Sequence, residues 1–153
     1  MNAPILIVSS DSDLRELIAY GLVRSGWTIE CAASGGGAFA RICGSRPAGV
    51  VLDLALPDIH GVGVIEVIRQ LWPDEPVPIV ILCSEDTGDY RDELLRMGAD
   101  AVLTQPFTVE MIVEAVDRSC RPVRSPVRTI RRPSRSKRPG KAGDRARRIA
   151  PAT

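Results

Sequence analysis

The sequence predicts an α/β fold: a doubly wound (βα)5 parallel sheet of five strands, with the common order 2-1-3-4-5, followed by a disordered basic C-terminal tail. Three observations predict it. Short apolar runs such as Val50-Val51-Leu52 and Val77–Cys83 (VPIVILC) have the length and composition of strands buried on both faces. Strand-like and helix-like segments alternate five times, which argues a parallel sheet covered by helices on both sides. The charge also divides the chain: residues 1–120 hold 8 Lys and Arg against 18 Asp and Glu, whereas residues 121–153 hold 12 against one acid, Asp144, giving −10 and +11.

In order, Pro4–Val8 reads as the first strand. The polar run Ser9-Ser10-Asp11-Ser12-Asp13 follows, and several of its members can cap a helix; Asp13 and Glu16 have capping-box spacing. Leu14, Leu17, Ile18, Gly21 and Leu22 recur at helical spacing until Gly26. Trp27–Ala32 is a second strand. Residues 34–44 (SGGGAFARICG) make a poor helix because three glycines open it. Val50–Asp53 is the third strand, and Gly63–Leu71 a helix with Val64, Ile68, Leu71 and then Trp72 on one stripe before Pro73. Val77–Cys83 is the fourth strand, Ser84–Asp89 a turn, Tyr90–Met97 a helix ended by Gly98, and Ala101–Thr104 the fifth strand. Thr108 caps a last helix that turns Val109, Ile112, Val113 and Val116 inward.

A hydrophobic content of 44% suits a globular domain, and aromatics at 4% leave the core to aliphatic side chains. No apolar run approaches the length of a membrane span, and the start MNAPILIVSSDSD has no basic segment of a signal peptide. The four cysteines (Cys31, Cys43, Cys83 and Cys120) form no CxxC pair and no ligand group with the lone His60. They read as core thiols of a cytoplasmic protein.

The chain is organised around Val50–Gly61 (VVLDLALPDIHG). Here an acid, Asp53, ends a buried apolar run, and the turn signal Pro57-Asp58 follows. A carboxylate at the carboxyl end of a buried strand is costly unless it lies in a crevice, and in open parallel sheets that crevice is where ligands sit. Asp53 either works there or simply caps a strand–loop junction.

With these segments in place, residues Ile5 to Cys120 resemble the receiver domain of two-component response regulators. ILIVSSDSDLRELI is similar to the family's first strand and helix, VVLDLALPDIHG to its phosphoacceptor strand and loop, PIVILCS to its fourth strand and GADAVLTQPF to its fifth strand and loop. The resemblance implies phosphorelay signalling rather than enzymatic activity, with Asp53 as the phosphoacceptor. It also implies a sensor histidine kinase or other signalling protein as partner, usually on a face that here spans residues 90–119.

The chain departs from the family pattern around that acceptor. The acidic pair that helps hold Mg²⁺ falls on Ser9 and Ser10, the phosphoryl-binding hydroxyl on Cys83 with Ser84 beside it, the lysine on Gln105 and the switch aromatic on Val102. Mg²⁺ sheds water reluctantly and is usually bound through one or two carboxylates. Across acceptor, acid pair and lysine, the formal charge goes from −2 in the family pattern to −1, from Asp53 alone. No cofactor is expected. Any Mg²⁺ would be weak and held by Asp53 with Asp11, whose rival use is to cap the first helix. Phosphoryl transfer depends mainly on positioning and charge stabilisation. Gln105 offers only a neutral donor, a thiol only a weak one, and Val102 has no ring to move. The expectation is a single-domain receiver with a degenerate site, weakly phosphorylated or independent of phosphorylation, acting as a protein-interaction module. A working but atypical receiver is the rival.

Residues 121–153 are rich in Arg, Pro and Ser and lack any periodicity that could bury surface. Their cations suit salt-dependent, sequence-blind nucleic-acid binding, and RRPSR and SKRPGK faintly resemble minor-groove arms. Without aromatic residues the tail cannot stack on bases. It could equally fold back on the acidic body or stay solvated. No Gly-rich phosphate loop, nucleophile elbow or metal-binding His pair is present, and His60 reads as a loop surface residue.

Overall fold

A computed structural model of the chain describes residues 3–84 and 88–121. The elements run β1 (Ile5–Val8), α1 (Ser12–Arg24), β2 (Ile29–Ala32), α2 (Gly35–Gly44), β3 (Gly49–Asp53), α3 (Gly61–Leu71), β4 (Ile79–Cys83), α4 (Gly88–Arg96), β5 (Ala101–Thr104) and α5 (Val109–Cys120). All strands are parallel and ordered β2-β1-β3-β4-β5, the expected doubly wound sheet. The basic segment, beyond Arg121, lies outside the described residues, so its expected disorder and nucleic-acid contacts have no structural counterpart here.

Strand residues alternate between two cores, as the two-residue period of a strand requires. Leu6, Val8, Val50, Leu52, Ile79, Ile81 and Val102 pack against one helix layer through residues such as Ile42, Val64, Ile68 and Leu94 of α2, α3 and α4. Ile5, Ile7, Val51, Val80 and Leu82 pack on the other face against Ile18 and Leu22 of α1 and Ile112, Ala115 and Val116 of α5. Both faces are aliphatic and covered, which is why these strands read as continuous apolar runs.

The helix ends follow from specific partners. Asp11 caps α1, its carboxylate accepting from the amides of Asp13 and Leu14, so Asp13 sits in the first turn rather than at the cap of a capping box. Gly26 and Gly98, with φ of +99° and +111°, end α1 and α4 in the left-handed region that other residues avoid. Thr108 caps α5 as expected, accepting from the amide of Met111.

Several expectations are corrected. The glycine-rich segment is a full ten-residue helix, α2. Its first turn is held from outside: Ser34 caps it, and the Asp58 carboxylate accepts from the amides of both Gly35 and Gly36 at 2.9 Å. Leu17 and Leu71, placed on buried stripes by their spacing, are 55% and 43% exposed because, among the described residues, no neighbour covers those sides of α1 and α3. Of the cysteines only Cys83 is buried; Cys43 is exposed, and Cys31 and Cys120 are half-buried. Burial pushes the Cys120 thiol up to about 12, with Asp100 and Asp117 adding to the rise.

Candidate functional site

The strand order places β1 beside both β2 and β3, so the chain winds outward in opposite directions from the β1–β3 boundary. Loops leaving the carboxyl ends of these two strands must diverge, and a crevice opens between them. Val8 pairs with Leu52 across this boundary, so Ser9 and Asp53, each one residue further on, meet at the mouth.

They are hydrogen-bonded. The Ser9 hydroxyl, fully buried, donates to Oδ2 of Asp53 at 3.0 Å, and the amide of Ala55 donates to Oδ1 at 3.0 Å. Ser9 is anchored at every polar atom: its amide donates to the Ala32 carbonyl on β2, its carbonyl accepts from Nη1 of Arg15 at 2.6 Å, and its Oγ accepts from the amide of Asp11 at 3.2 Å. Asp53 is half-buried and Ser10 exposed.

The other expected positions also lie at this edge of the sheet. Cys83 ends β4, one residue past the Asp53–Leu82 pair, and its thiol donates to the Leu103 carbonyl at 3.8 Å. Gln105 follows β5; its amide donates to the Cys83 carbonyl while its side chain is exposed. Val102 is 2% exposed within the aliphatic core, and its carbonyl accepts from Nη1 of Arg91. Ser84 is exposed and lines a cleft of about 510 Å³ with Leu56, Pro57, His60 and Tyr90, residues of the loop after β3 and of α4.

Three roles escaped the sequence reading. Arg15 brings a guanidinium to the crevice rim, one helical turn beyond the cap. Asp58 ties the loop between β3 and α3 to α2, and the two amides hold its carboxyl below the usual carboxylate range. His60 is exposed, as a loop residue should be, yet it caps α3: its Nδ1 accepts from the amide of Val62, and its ring stands edge-on to Tyr90 at 6.4 Å. A polar residue just before a helix was the available signal for His60; nothing local marks Arg15 or Asp58.

The donor set does not suit Mg²⁺. Asp53 has one oxygen engaged by Ser9 and the other by Ala55, while Asp11, the second carboxylate considered, is engaged in capping α1. Among the described residues no group of three or more His, Cys, Asp or Glu side chains is placed to hold a metal ion. Among the described residues, an ion that wants several oxygen ligands in octahedral array finds one half-buried carboxylate at the crevice mouth.

A doubly wound sheet with its crevice at the β1–β3 boundary and an aspartate at the end of β3 has the architecture expected of a receiver-type domain. Residues 5–117 match the family described as response regulator receiver domain, and the chain belongs to that family of two-component signalling proteins. It is 33% identical over 112 residues to the transcriptional regulatory protein PrrA of Mycobacterium leprae, covering 73% of this chain and 47% of the relative. It is 34% identical over 113 residues to the response regulator MprA of Mycobacterium ulcerans, covering 74% and 48%. The chain thus spans about half the length of the curated relatives it matches. Among solved structures, the receiver domain of NtrX from Brucella abortus superposes with a TM-score of 0.69 at 24% identity, covering 76% of this chain and 97% of that one, a likeness of fold. Among the described residues no helix is long and apolar enough to cross a membrane.

Proposed function

We propose that this receiver domain is a protein-interaction module of a cytoplasmic two-component pathway, whose site is phosphorylated weakly or not at all. The observation that carries the reading is the Ser9–Asp53 hydrogen bond. Where the family pattern has an acid that helps attract a metal, a neutral, buried hydroxyl occupies the acceptor carboxylate itself. An incoming phosphoryl group would meet the Asp53 anion with no lysine, because that position is Gln105, and, among the described residues, with no second carboxylate grouped with it to recruit an ion. The signalling partner, a histidine kinase or another pathway protein, is assigned to the 90–119 face. Exposed Leu95 and Met111 there flank a groove of about 320 Å³ rimmed by Arg91 and Arg118, an apolar centre with a charged rim.

The test is to incubate the full chain with acetyl phosphate and Mg²⁺ and to measure its mass. The expected result is little or no phosphoryl adduct. Stoichiometric labelling that disappears in Asp53→Asn would establish the rival, a working receiver with an atypical site.

A second reading rests on the charge split. The 12 cations of residues 121–153 favour salt-sensitive association with nucleic acid. A gel-retardation series with and without that segment tests it, and the absence of any shift at low salt removes it.

A further inference from the structure

We propose that Ser9 is a positioning residue that relays the state of Asp53 to the N-terminus of α1, so that α1, rather than β5, is the element that responds to the acceptor. The proposal adds a route of regulation to the receiver reading and holds whether or not Asp53 is phosphorylated.

The chain of contacts is continuous. Ala55 N–H and Ser9 O–H donate to separate oxygens of Asp53. The same Ser9 Oγ accepts from the amide of Asp11. Asp11 is the cap of α1, its Oδ1 accepting from the amides of Asp13 and Leu14. Arg15, in the first turn, returns to the Ser9 carbonyl and closes the circuit. Residues at the ends of β1 and β3 and in the first turn of α1 are therefore linked through a single fully buried hydroxyl.

That arrangement requires a carboxylate at 53. Asp53 accepts on both oxygens, and a neutral amide cannot. In Asp53→Asn one of the two donors loses its acceptor. If the amide NH₂ turns toward Ser9, the hydroxyl proton must leave, and Ser9 Oγ, which already accepts from Asp11, gains a competing donor. That arrangement redirects the Ser9 hydroxyl and shares its two lone pairs between two donors. The reverse orientation leaves Ser9 donating to a weaker, neutral acceptor while the Ala55 amide loses its partner. In both, the change reaches the Asp11 amide through the same Oγ. The alternative route has little to carry it: Val102 is an aliphatic side chain locked in the core, with no ring to rotate and no hydroxyl to follow a change at Asp53.

The experiment is amide hydrogen exchange by NMR on the full chain, normalised to the slow core amides of β3 and β4. Loss of cap stabilisation should speed exchange at Asp11, Asp13 and Leu14 about fivefold in Asp53→Asn. Ser9→Ala should give the same change, and Asp53→Asn added to Ser9→Ala should give nothing more, while Ser9→Thr, which keeps the hydroxyl, should behave as the parent. A purely structural role for Ser9 predicts additive effects instead. Additivity, or an Asp53→Asn response confined to α4, β5 and α5, overturns the relay. Acetyl phosphate labelling bears on the preceding proposal alone, so the two fail independently.

Discussion

Ser9→Asp, which restores one acid of the family pattern, separates the electrostatic account from a merely steric one. Oγ of Ser9 lies 3.0 Å from Oδ2 of Asp53, so a carboxylate built there faces a second carboxylate at close range. Two unit charges about 4 Å apart repel by about 4 kcal/mol at an effective dielectric constant of about 20. Asp53 is half-buried, and water at the mouth reduces this; a net destabilisation of about 2 kcal/mol is expected. In a thermal melt in EDTA that corresponds to a fall of roughly 5–15 °C for a domain of this size. Mg²⁺ bridging the two carboxylates should recover most of the loss, whereas the parent should melt at the same temperature with and without the ion. Ser9→Asn serves as the control: it adds nearly the same bulk without charge, and Mg²⁺ should leave it unchanged. If Ser9→Asp melts with the parent in EDTA, or if Mg²⁺ stabilises the parent as much as the variant, the account of the crevice given above is wrong.

Two further predictions concern carboxylates at helix ends. Burial alone would raise the Asp117 carboxyl, but hydrogen bonds from Trp27 Nε1 at 2.9 Å, from Arg121 and from Ser25 outweigh it and hold it below its usual value. A depressed value means that the stabilisation is fully present above the unfolded-state pKa of about 3.9 and is lost as pH falls through the folded one. Asp117→Asn should therefore cost about 1 kcal/mol at neutral pH, a figure discounted because the side chain is 36% exposed, and much less near pH 2, as read by urea melts followed by tryptophan fluorescence. A cost unchanged by acid contradicts this. Asp58→Asn leaves one oxygen where two amides donate, so hydrogen exchange should quicken at Gly35 or Gly36 and not at Gly37, whose amide is held by Ser34. Equal protection in parent and variant at both glycines would show that α2 does not need the clamp.

What the sequence made legible was whatever depends on neighbours in the chain. β3 and β4 were readable because strands covered on both faces become unbroken apolar runs, and five such units leave little choice of sheet. The edge strand β2 was drawn two residues too long, since Trp27 and Thr28 alternate like a strand but lie outside the pairing with β1. Spacing fixed which side of α1 carries Leu17, not whether another element reaches that side. α2 was undervalued because helix propensity counts three glycines against it and cannot count a carboxylate 22 residues away that ties down its first turn. The crevice divides the same way. Asp53 was found from its place at a strand end and Ser9 through the family resemblance, whereas the contacts of Arg15 and Asp58 exist only once helices and loops return to the same edge.

That geometry also changes what the presence of Asp53 signifies. A buried hydroxyl deprived of its acceptor costs about 1–3 kcal/mol, and the Ser9 hydroxyl is fully buried. Asp53 supplies that acceptor and at the same time receives the Ala55 amide on its second oxygen, a pair of duties that asparagine meets only in part. The acid is thus required by its own hydrogen bonds, with or without a phosphoryl group, and its retention favours neither mechanism. The neighbouring positions do discriminate. Under the proposed correspondence, serine at 9 and 10 and glutamine at 105 each lack the charge that transfer would use, and Ser9 makes an internal hydrogen bond to Asp53 instead. A site whose acid is tied into a hydrogen-bonded circuit closed by the Arg15 guanidinium is organised to hold its loops together, and this favours the proposed phosphorylation-independent receiver over a working but atypical one.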